Sequence, residues 1–173
     1  MKQHYIKPEL LQYKSFEQSG EFSGYASIFH SEDLVGDVIL PGAFKSSIGT
    51  SFHIKLLWQH NPEEPIGVIT NIFEDERGLF INGRFLLELN KAKEAYTLVK
   101  NEAIKGLSIG YQIEDFFFDK GIRYITKVKL LEVSLVTFPA NQEAGIIEVK
   151  GDRIKQLIAS IEALIDKVGR ELV

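Results

Sequence analysis

The sequence contains no cysteine, and it has only one methionine and one tryptophan among its 173 residues. The absence of cysteine excludes disulfides, thiolate metal ligands and a cysteine nucleophile. No stretch approaches the 18 or so consecutive apolar residues that a membrane span requires. The first residues also lack the apolar segment of a secretory signal. We therefore expect a cytosolic, reduced protein without a membrane partner.

Basic residues are fewer than acidic ones: the chain has 20 Lys and Arg and 24 Asp and Glu, which gives a formal net charge of −4. Non-specific binding to nucleic acid needs a basic face, so we expect no nucleic-acid partner. Hydrophobic residues make up 45% of the chain and charged residues 25%, which is typical of a soluble globular protein. A chain of this length buries roughly 70% of its unfolded surface, enough for one stable domain.

Short apolar segments separated by glycine, proline and acidic turns predict a chain that is mainly β. The apolar segments are 21–29, 36–42, 53–59, 66–73, 79–87, 107–118 and 122–138. Helical spacing predicts a short turn at 43–48 and a helix over 90–104, with Asn90 as its cap. This inventory of six to eight strands favours a partly closed antiparallel β-barrel with peripheral helices, an α+β arrangement.

The end of the chain follows a different pattern. Apolar residues recur at steps of three and four from Ile154 to Leu172, which predicts an amphipathic helix of about 20 residues. We therefore divide the chain into a barrel domain, 1–150, and a helical extension, 151–173. The apolar stripe either packs on the barrel or serves self-association or partner docking.

Residues 106–110 fit the G-x-S-x-G pattern of α/β-hydrolases, with Ser108 at its centre. That fold places the serine between a strand and a helix, and a histidine follows it in the chain. Here a predicted helix precedes Ser108 and all four histidines lie before it, so the α/β-hydrolase interpretation fails. Triads are defined by geometry and not by chain order, so an upstream histidine remains a possible base.

His60 is the strongest candidate for that base. On a strand over 52–60 it shares one face with Leu56 and Trp58 and ends an apolar row. His53 lies on the opposite face, whereas His4 and His30 have the surroundings of surface residues. The alternative for His60 is a structural histidine that is hydrogen-bonded at a strand end.

Glu132 is the only acid in the apolar segment 128–138. Burying a carboxylate without a partner costs several kcal/mol, so we expect Glu132 to be paired and to orient the base. The alternative is an edge-strand glutamate that points to solvent. Ser134 lies on the same face as a rival nucleophile or a hydrogen-bonding neighbour. Gly110, on the face of Ser108, is expected to leave open space beside the hydroxyl.

No H-E-x-x-H, P-loop or dinucleotide motif occurs in the sequence, so we expect neither a metal nor a cofactor.

Six segments, in order and at similar spacing, resemble the prohead (capsid maturation) serine proteases of tailed bacteriophages, a family similar to the herpesvirus assemblin-type proteases. The resemblance spans about residues 20–150, and a series of motifs is more specific than any single one. The segments are 24–29 (GYASIF), 36–44 (GDVILPGAF), 56–62 (LLWQHNP), 65–67 (PIG), 106–111 (GLSIGY) and 132–141 (EVSLVTFPAN).

The resemblance implies a β-barrel ringed by helices that acts as a serine endopeptidase through an acyl-enzyme. It implies Ser108 as the nucleophile, His60 as the general base and Glu132 as the third member of the triad. The implied substrates are the scaffold portion of the capsid protein and the protease itself, which would be cut inside the assembling prohead in the host cytoplasm.

Other prohead proteins are further expected partners, and self-association is expected, with a dimer as one form. The terminal helix is then a targeting segment or a self-cleaved extension. Two other classes stay open at this point: a non-catalytic β-barrel that binds capsid or scaffold protein, and a serine esterase of unrelated fold.

Overall fold

The computed structural model describes residues 19–49, 54–150 and Ile161. Within these residues the chain forms eight strands and two helices. The strands are β1 (Glu21–Ile28), β2 (Asp37–Ile39), β3 (Lys55–Trp58), β4 (Asn61–Glu74), β5 (Gly78–Phe85), β6 (Gly106–Asp119), β7 (Ile122–Val136) and β8 (Gly145–Val149). The helices are α1 (Lys45–Ile48) and α2 (Asn90–Lys100). The chain is therefore mainly β, as predicted.

Seven strands close into a barrel in the order β7-β3-β4-β5-β1-β8-β6, and β6 pairs again with β7. The seam between β8 and β6 is narrow, because a single residue pair, Gly106 and Gly145, joins their ladders. The predicted partly closed barrel is thus a closed ring with one weak seam. Strand β2 lies outside the ring, against the edge of β7.

The ladders are not all antiparallel, because β2 and β3 both run parallel to β7. The predicted antiparallel pairing describes the other ladders of the barrel but not these two. Parallel pairing requires a crossover connection, and the chain between β3 and β7 is long enough to supply one. This arrangement brings the end of β3 to the part of β7 that carries Glu132, because Lys55 pairs with Glu132 and Leu57 with Ser134.

The core is built from aromatic and aliphatic side chains that β-strand alternation turns inward. Phe22, Phe44 and Phe85 are each at most 1% exposed. One face of α2 completes this core, and its buried residues follow the predicted helical spacing: Ala92, Ala95, Tyr96 and Val99.

The ends of α2 differ from the prediction. The N-cap is Leu89, without a side-chain hydrogen bond, so Asn90 is the first helical residue and not the cap. The helix also ends at Lys100, four residues before the predicted Ile104. The reason is local: the Asn101 amide donates to the Thr97 carbonyl, and Glu102 adopts a left-handed φ of 57° that no helix can continue.

The segment around His60 also folds differently from the prediction. Strand β3 ends at Trp58, and Gln59 and His60 form a two-residue turn with left-handed φ values of 51° and 60°. The predicted apolar row ending in His60 is therefore wrong, because the imidazole lies in the turn. Pro62 is accommodated in β4 because a ladder irregularity lies between the pairs Trp58–Asn61 and Leu57–Pro65.

Apart from Ile161, the predicted C-terminal helix lies outside the described residues, as do His4 and His53. None of the helices in the described part of the chain is long and apolar enough to cross a membrane.

Candidate active site

Strand β7 lies between the two elements that carry the predicted nucleophile and base. On one side, β6 pairs with it antiparallel, so that Ser108 lies opposite Ser134 and Gly110 opposite Glu132. On the other side, β3 delivers the turn that contains His60. Three segments that are distant in the sequence therefore meet at one edge of the barrel.

The His60 imidazole contacts the Glu132 carboxylate, with 2.6 Å between Nδ1 and Oε1. The side chain of Glu132 is only 12% exposed, whereas that of His60 is 45% exposed. This distance is typical of a strong hydrogen bond to a charged acceptor. The expectation that Glu132 is paired is therefore confirmed. Because this contact uses Nδ1, the other ring nitrogen of His60, Nε2, is left to interact with a different group.

Ser134 completes the surroundings of this pair. Its hydroxyl donates to Oε2 of Glu132 at 2.7 Å and accepts the backbone N–H of His60 at 3.0 Å. The residue is fully buried, with 0% exposure. These contacts support the hydrogen-bonding role that the sequence left open. A nucleophile would need a hydroxyl that substrate can reach, and the buried hydroxyl of Ser134 does not meet that requirement.

Ser108 is 7% exposed and lines a cleft of about 230 Å³ together with His60. The space beside Gly110 is not open, as we expected from the sequence, because the Glu132 side chain fills it. A Cβ atom at Gly110 would lie 2.9 Å from Cγ of Glu132 and closer still to its Oε1 atom. The glycine therefore makes room for the carboxylate that contacts the imidazole.

The residues that line the cleft include Asp37, whose ion pair with Arg123 was not predicted from the sequence. Asp37 is 3% exposed and receives two hydrogen bonds from Arg123, at 2.7 Å from Nε and 2.6 Å from Nη2. Burial and the nearby carboxylates of Asp37 and Asp33 raise the pKa of Tyr111 to about 12, although Arg123 lowers it. The Tyr111 phenol is thus uncharged at neutral pH. The only signal in the sequence was the apolar segment 36–42 with Asp37 inside it.

The loop after β7 forms the rim of the cleft through Ala140 and Asn141. The Leu34 N–H donates to the Ala140 carbonyl at 3.0 Å, and the Asn141 amide donates to the Ile28 carbonyl at 3.0 Å. Among the described residues, no hydrogen bond uses the backbone N–H of Ala140 or Asn141. His30 is exposed in the turn after β1, as expected for a surface residue.

Two solved structures of herpesvirus proteases are similar to this chain. The KSHV protease in complex with a hexapeptide phosphonate inhibitor has a TM-score of 0.45 at 15% identity, covering 66% of this chain and 58% of that one. The varicella-zoster virus protease has a TM-score of 0.40 at 18% identity, covering 64% and 56%.

Sequence relatives are more similar. The prohead protease of Enterobacteria phage HK97 is 31% identical over 94% of this chain and 79% of its own length. The prohead protease of Escherichia phage T5 is 33% identical over 70% of this chain and 59% of its own. The capsid polyprotein of Pseudomonas phage PAJU2 is 32% identical over 78% of this chain but only 21% of its own.

The profile of the caudovirus prohead serine protease family matches residues 9–157, which is most of the chain. Relatives that share about a third of their residues with this chain are named prohead proteases. The chain therefore belongs to the caudovirus prohead serine proteases and is a serine peptidase.

Proposed function

We propose that this peptidase cuts peptide bonds with Ser108 as nucleophile, His60 as general base and Glu132 as the acid that orients the base. The observation that carries the proposal is the 2.6 Å contact between His60 Nδ1 and Glu132 Oε1, at a cleft that His60 shares with Ser108. A serine hydroxyl is a poor nucleophile without such a base.

The proposed reaction passes through an acyl-enzyme. His60 accepts the Ser108 proton at Nε2 while Oγ attacks the scissile carbonyl, and it then delivers that proton to the departing amine. Water, activated by the same imidazole, hydrolyses the ester and restores the serine. Glu132 accepts a hydrogen bond from Nδ1–H throughout, which fixes the tautomer and offsets the charge of the imidazolium.

The negative charge that develops on the carbonyl oxygen needs donors. We assign the backbone N–H groups of Ala140 and Asn141 to this role, because they lie on the rim of the cleft without another partner among the described residues. Pro139, at the start of the same turn, has no N–H to donate. Donors of this kind contribute about 3–4 kcal/mol each to the transition state.

The outer edge of β6 is the proposed binding site for the substrate backbone. On the side away from β7, the described ladder contacts of β6 are limited to the pair Gly106–Gly145. The edge from Ser108 onward is therefore available, and an added peptide strand would gain main-chain hydrogen bonds next to the nucleophile.

The proposed substrates are the scaffold portion of the capsid protein and the protease itself, cut inside the assembling prohead in the host cytoplasm. A relative that is named a capsid polyprotein supports a capsid substrate. We propose residues 1–150 as the catalytic domain and 151–173 as an extension that packs, targets the shell or is removed. Self-association, as a dimer or a larger assembly, belongs to the same proposal, which requires neither metal nor cofactor.

Co-expression with the capsid protein tests the nucleophile. Ser108→Ala should lower cleavage by about 10⁴-fold or more without unfolding the barrel, and it should abolish labelling by a fluorophosphonate probe. Ser31→Ala is a matched control, because Ser31 lines the same cleft but bonds to Glu143, and it should cleave and label normally. Labelling or cleavage that survives Ser108→Ala would contradict the proposal.

A further inference from the structure

We infer that Ser134 is a positioning residue whose hydroxyl group holds the His60 imidazole and the Glu132 carboxylate in contact with each other. The inference rests on the proposed roles of Ser108, His60 and Glu132, and it adds a fourth side chain to them. Ser134 accepts from the His60 backbone N–H at 3.0 Å and donates to Glu132 Oε2 at 2.7 Å. The hydroxyl thus fixes both partners of the contact between imidazole and carboxylate.

Ser134 acts only through these neighbours. It is 0% exposed, and it is not among the residues that line the cleft. A substrate cannot reach it, so its removal should change the rate of the chemical step more than the affinity for substrate.

The turn that contains His60 needs such an anchor. His60 has a left-handed φ of 60°, a conformation that costs energy for any residue with a Cβ atom and persists only when its surroundings enforce it. Gln59 is held by its own N–H, which donates to the Leu135 carbonyl at 3.0 Å. The corresponding N–H of His60 donates to the Ser134 hydroxyl. This hydrogen bond fixes the backbone position from which the imidazole side chain extends.

The carboxylate has a similar requirement. One oxygen of Glu132 contacts His60 and the other accepts from Ser134. With both oxygens engaged, the carboxylate plane is fixed and Oε1 stays directed at Nδ1. Without the hydroxyl, Oε2 loses its only donor among the described residues, and the side chain gains freedom to rotate.

Ser47, in helix α1, offers a matched control that contacts the same strand β7. It is also a buried serine, and its hydroxyl donates to the Val128 carbonyl at 2.8 Å and accepts the Leu130 N–H at 2.9 Å. Like Ser134, it joins two groups through one hydroxyl, but both are backbone groups of β7 and neither belongs to the proposed machinery. Its removal should affect stability alone.

The experiment measures the rate constant and the final stoichiometry of fluorophosphonate labelling in the full chain, below the melting temperature of every variant. Ser134→Ala should lower the rate constant about 10-fold, the size of one lost hydrogen bond to a charged group, with full final labelling. Ser47→Ala should lower the melting temperature but leave the rate constant unchanged. In a Glu132→Gln background, Ser134→Ala should lower the rate less than about 3-fold, because the two positions are coupled.

A wild-type rate for Ser134→Ala, or an equal loss in both backgrounds, would overturn the inference. A lower final labelling at an unchanged rate would do the same, since it indicates partial unfolding only. If Ser134→Ala does not melt cooperatively, Ser134→Cys, close in size but a weaker donor, takes its place with the same expectations. Labelling that survives Ser108→Ala would instead refute the proposed function, so the two failures are distinguishable.

Discussion

Gly110 lies directly opposite Glu132 in the ladder between β6 and β7. The carboxylate occupies the volume that a side chain at position 110 would need, since a Cβ atom there would lie 2.9 Å from Cγ of Glu132. Contacts of this kind force one of the two groups to move. The glycine thus belongs to the site although it has no functional group of its own.

We therefore expect Gly110→Ala to displace the Glu132 carboxylate from His60 and to lower fluorophosphonate labelling by about 10-fold or more, the cost of one lost charge-assisted hydrogen bond. The measurement is the labelling rate constant, with the melting temperature as a check on folding. Gly49→Ala is the control, because Gly49 has a φ of −65° and, chain neighbours aside, no atom of the described residues lies within 4 Å of the added Cβ. A wild-type rate in Gly110→Ala would show that the carboxylate does not need this space.

The sequence indicated candidate residues for the site but not the contacts between them. Ser108, His60 and Glu132 could be chosen because each is a polar residue in an apolar setting, and they keep the status of predicted catalytic residues. Strand alternation also placed Ser134 on the face of Glu132. It could not show that one hydroxyl joins Glu132 to the backbone of His60, because that contact depends on the pairing of β3 with β7 across 74 residues of chain.

At the scale of secondary-structure elements, strand β2 is held in position by its pairing with β7. Only three residues of β2 pair with β7, from Asp37–Arg123 to Ile39–Ile125. The short ladder is reinforced by the two hydrogen bonds from Arg123 to the buried carboxylate of Asp37. Asp37 and Ile39 line the cleft, so this ion pair fixes one of its walls.

Removing the Arg123 side chain should therefore lower the stability of the folded protein. Arg123→Ala leaves the Asp37 carboxylate buried without its cation, and we expect the free energy of unfolding to fall by roughly 3–5 kcal/mol. Chemical denaturation of the variant and the wild type measures the difference. Lys127→Ala is the control on the same strand, since its pair with Glu114 is 3.1 Å long but exposed on both sides, and it should cost at most about 1 kcal/mol. A similar small loss for Arg123→Ala would show that β2 is held by packing alone.

Elements with a strong repeating pattern were predicted closely, and those that depend on tertiary pairing were not. The strands predicted at 66–73, 79–87, 107–118 and 122–138 overlap β4, β5, β6 and β7. The direction of β3 was missed because it is set by pairing with β7, which is distant in the sequence. The turn at His60 was missed because residues 52–60 carry an alternating pattern that fits one continuous strand, and only the pairing of Trp58 with Asn61 shows that the strand stops before the histidine.

At the scale of the whole molecule, the barrel is closed by its last described strand. Strand β8 pairs with β1 through Phe22–Val149 and Gly24–Ile146, and it meets β6 at Gly106–Gly145. The Lys150 N–H donates to the Glu21 carbonyl at 2.9 Å, one residue beyond the strand. The buried core among the described residues extends from Phe22 to Ile146, with Val149 packed against it.

This distribution makes the proposed boundary at residue 150 testable. A chain of residues 1–150 keeps β8, the described core and the three proposed catalytic residues, so we expect it to melt cooperatively and to label at a rate close to that of the full chain. A chain that ends at Ala144 is the matched control. It leaves β1 without its β8 partner and opens the seam beside β6, and unpaired buried edges of this kind destabilise a barrel, so we expect it not to fold. If residues 1–150 also fail to melt cooperatively, residues 151–173 belong to the catalytic domain and the proposed division of the chain is wrong.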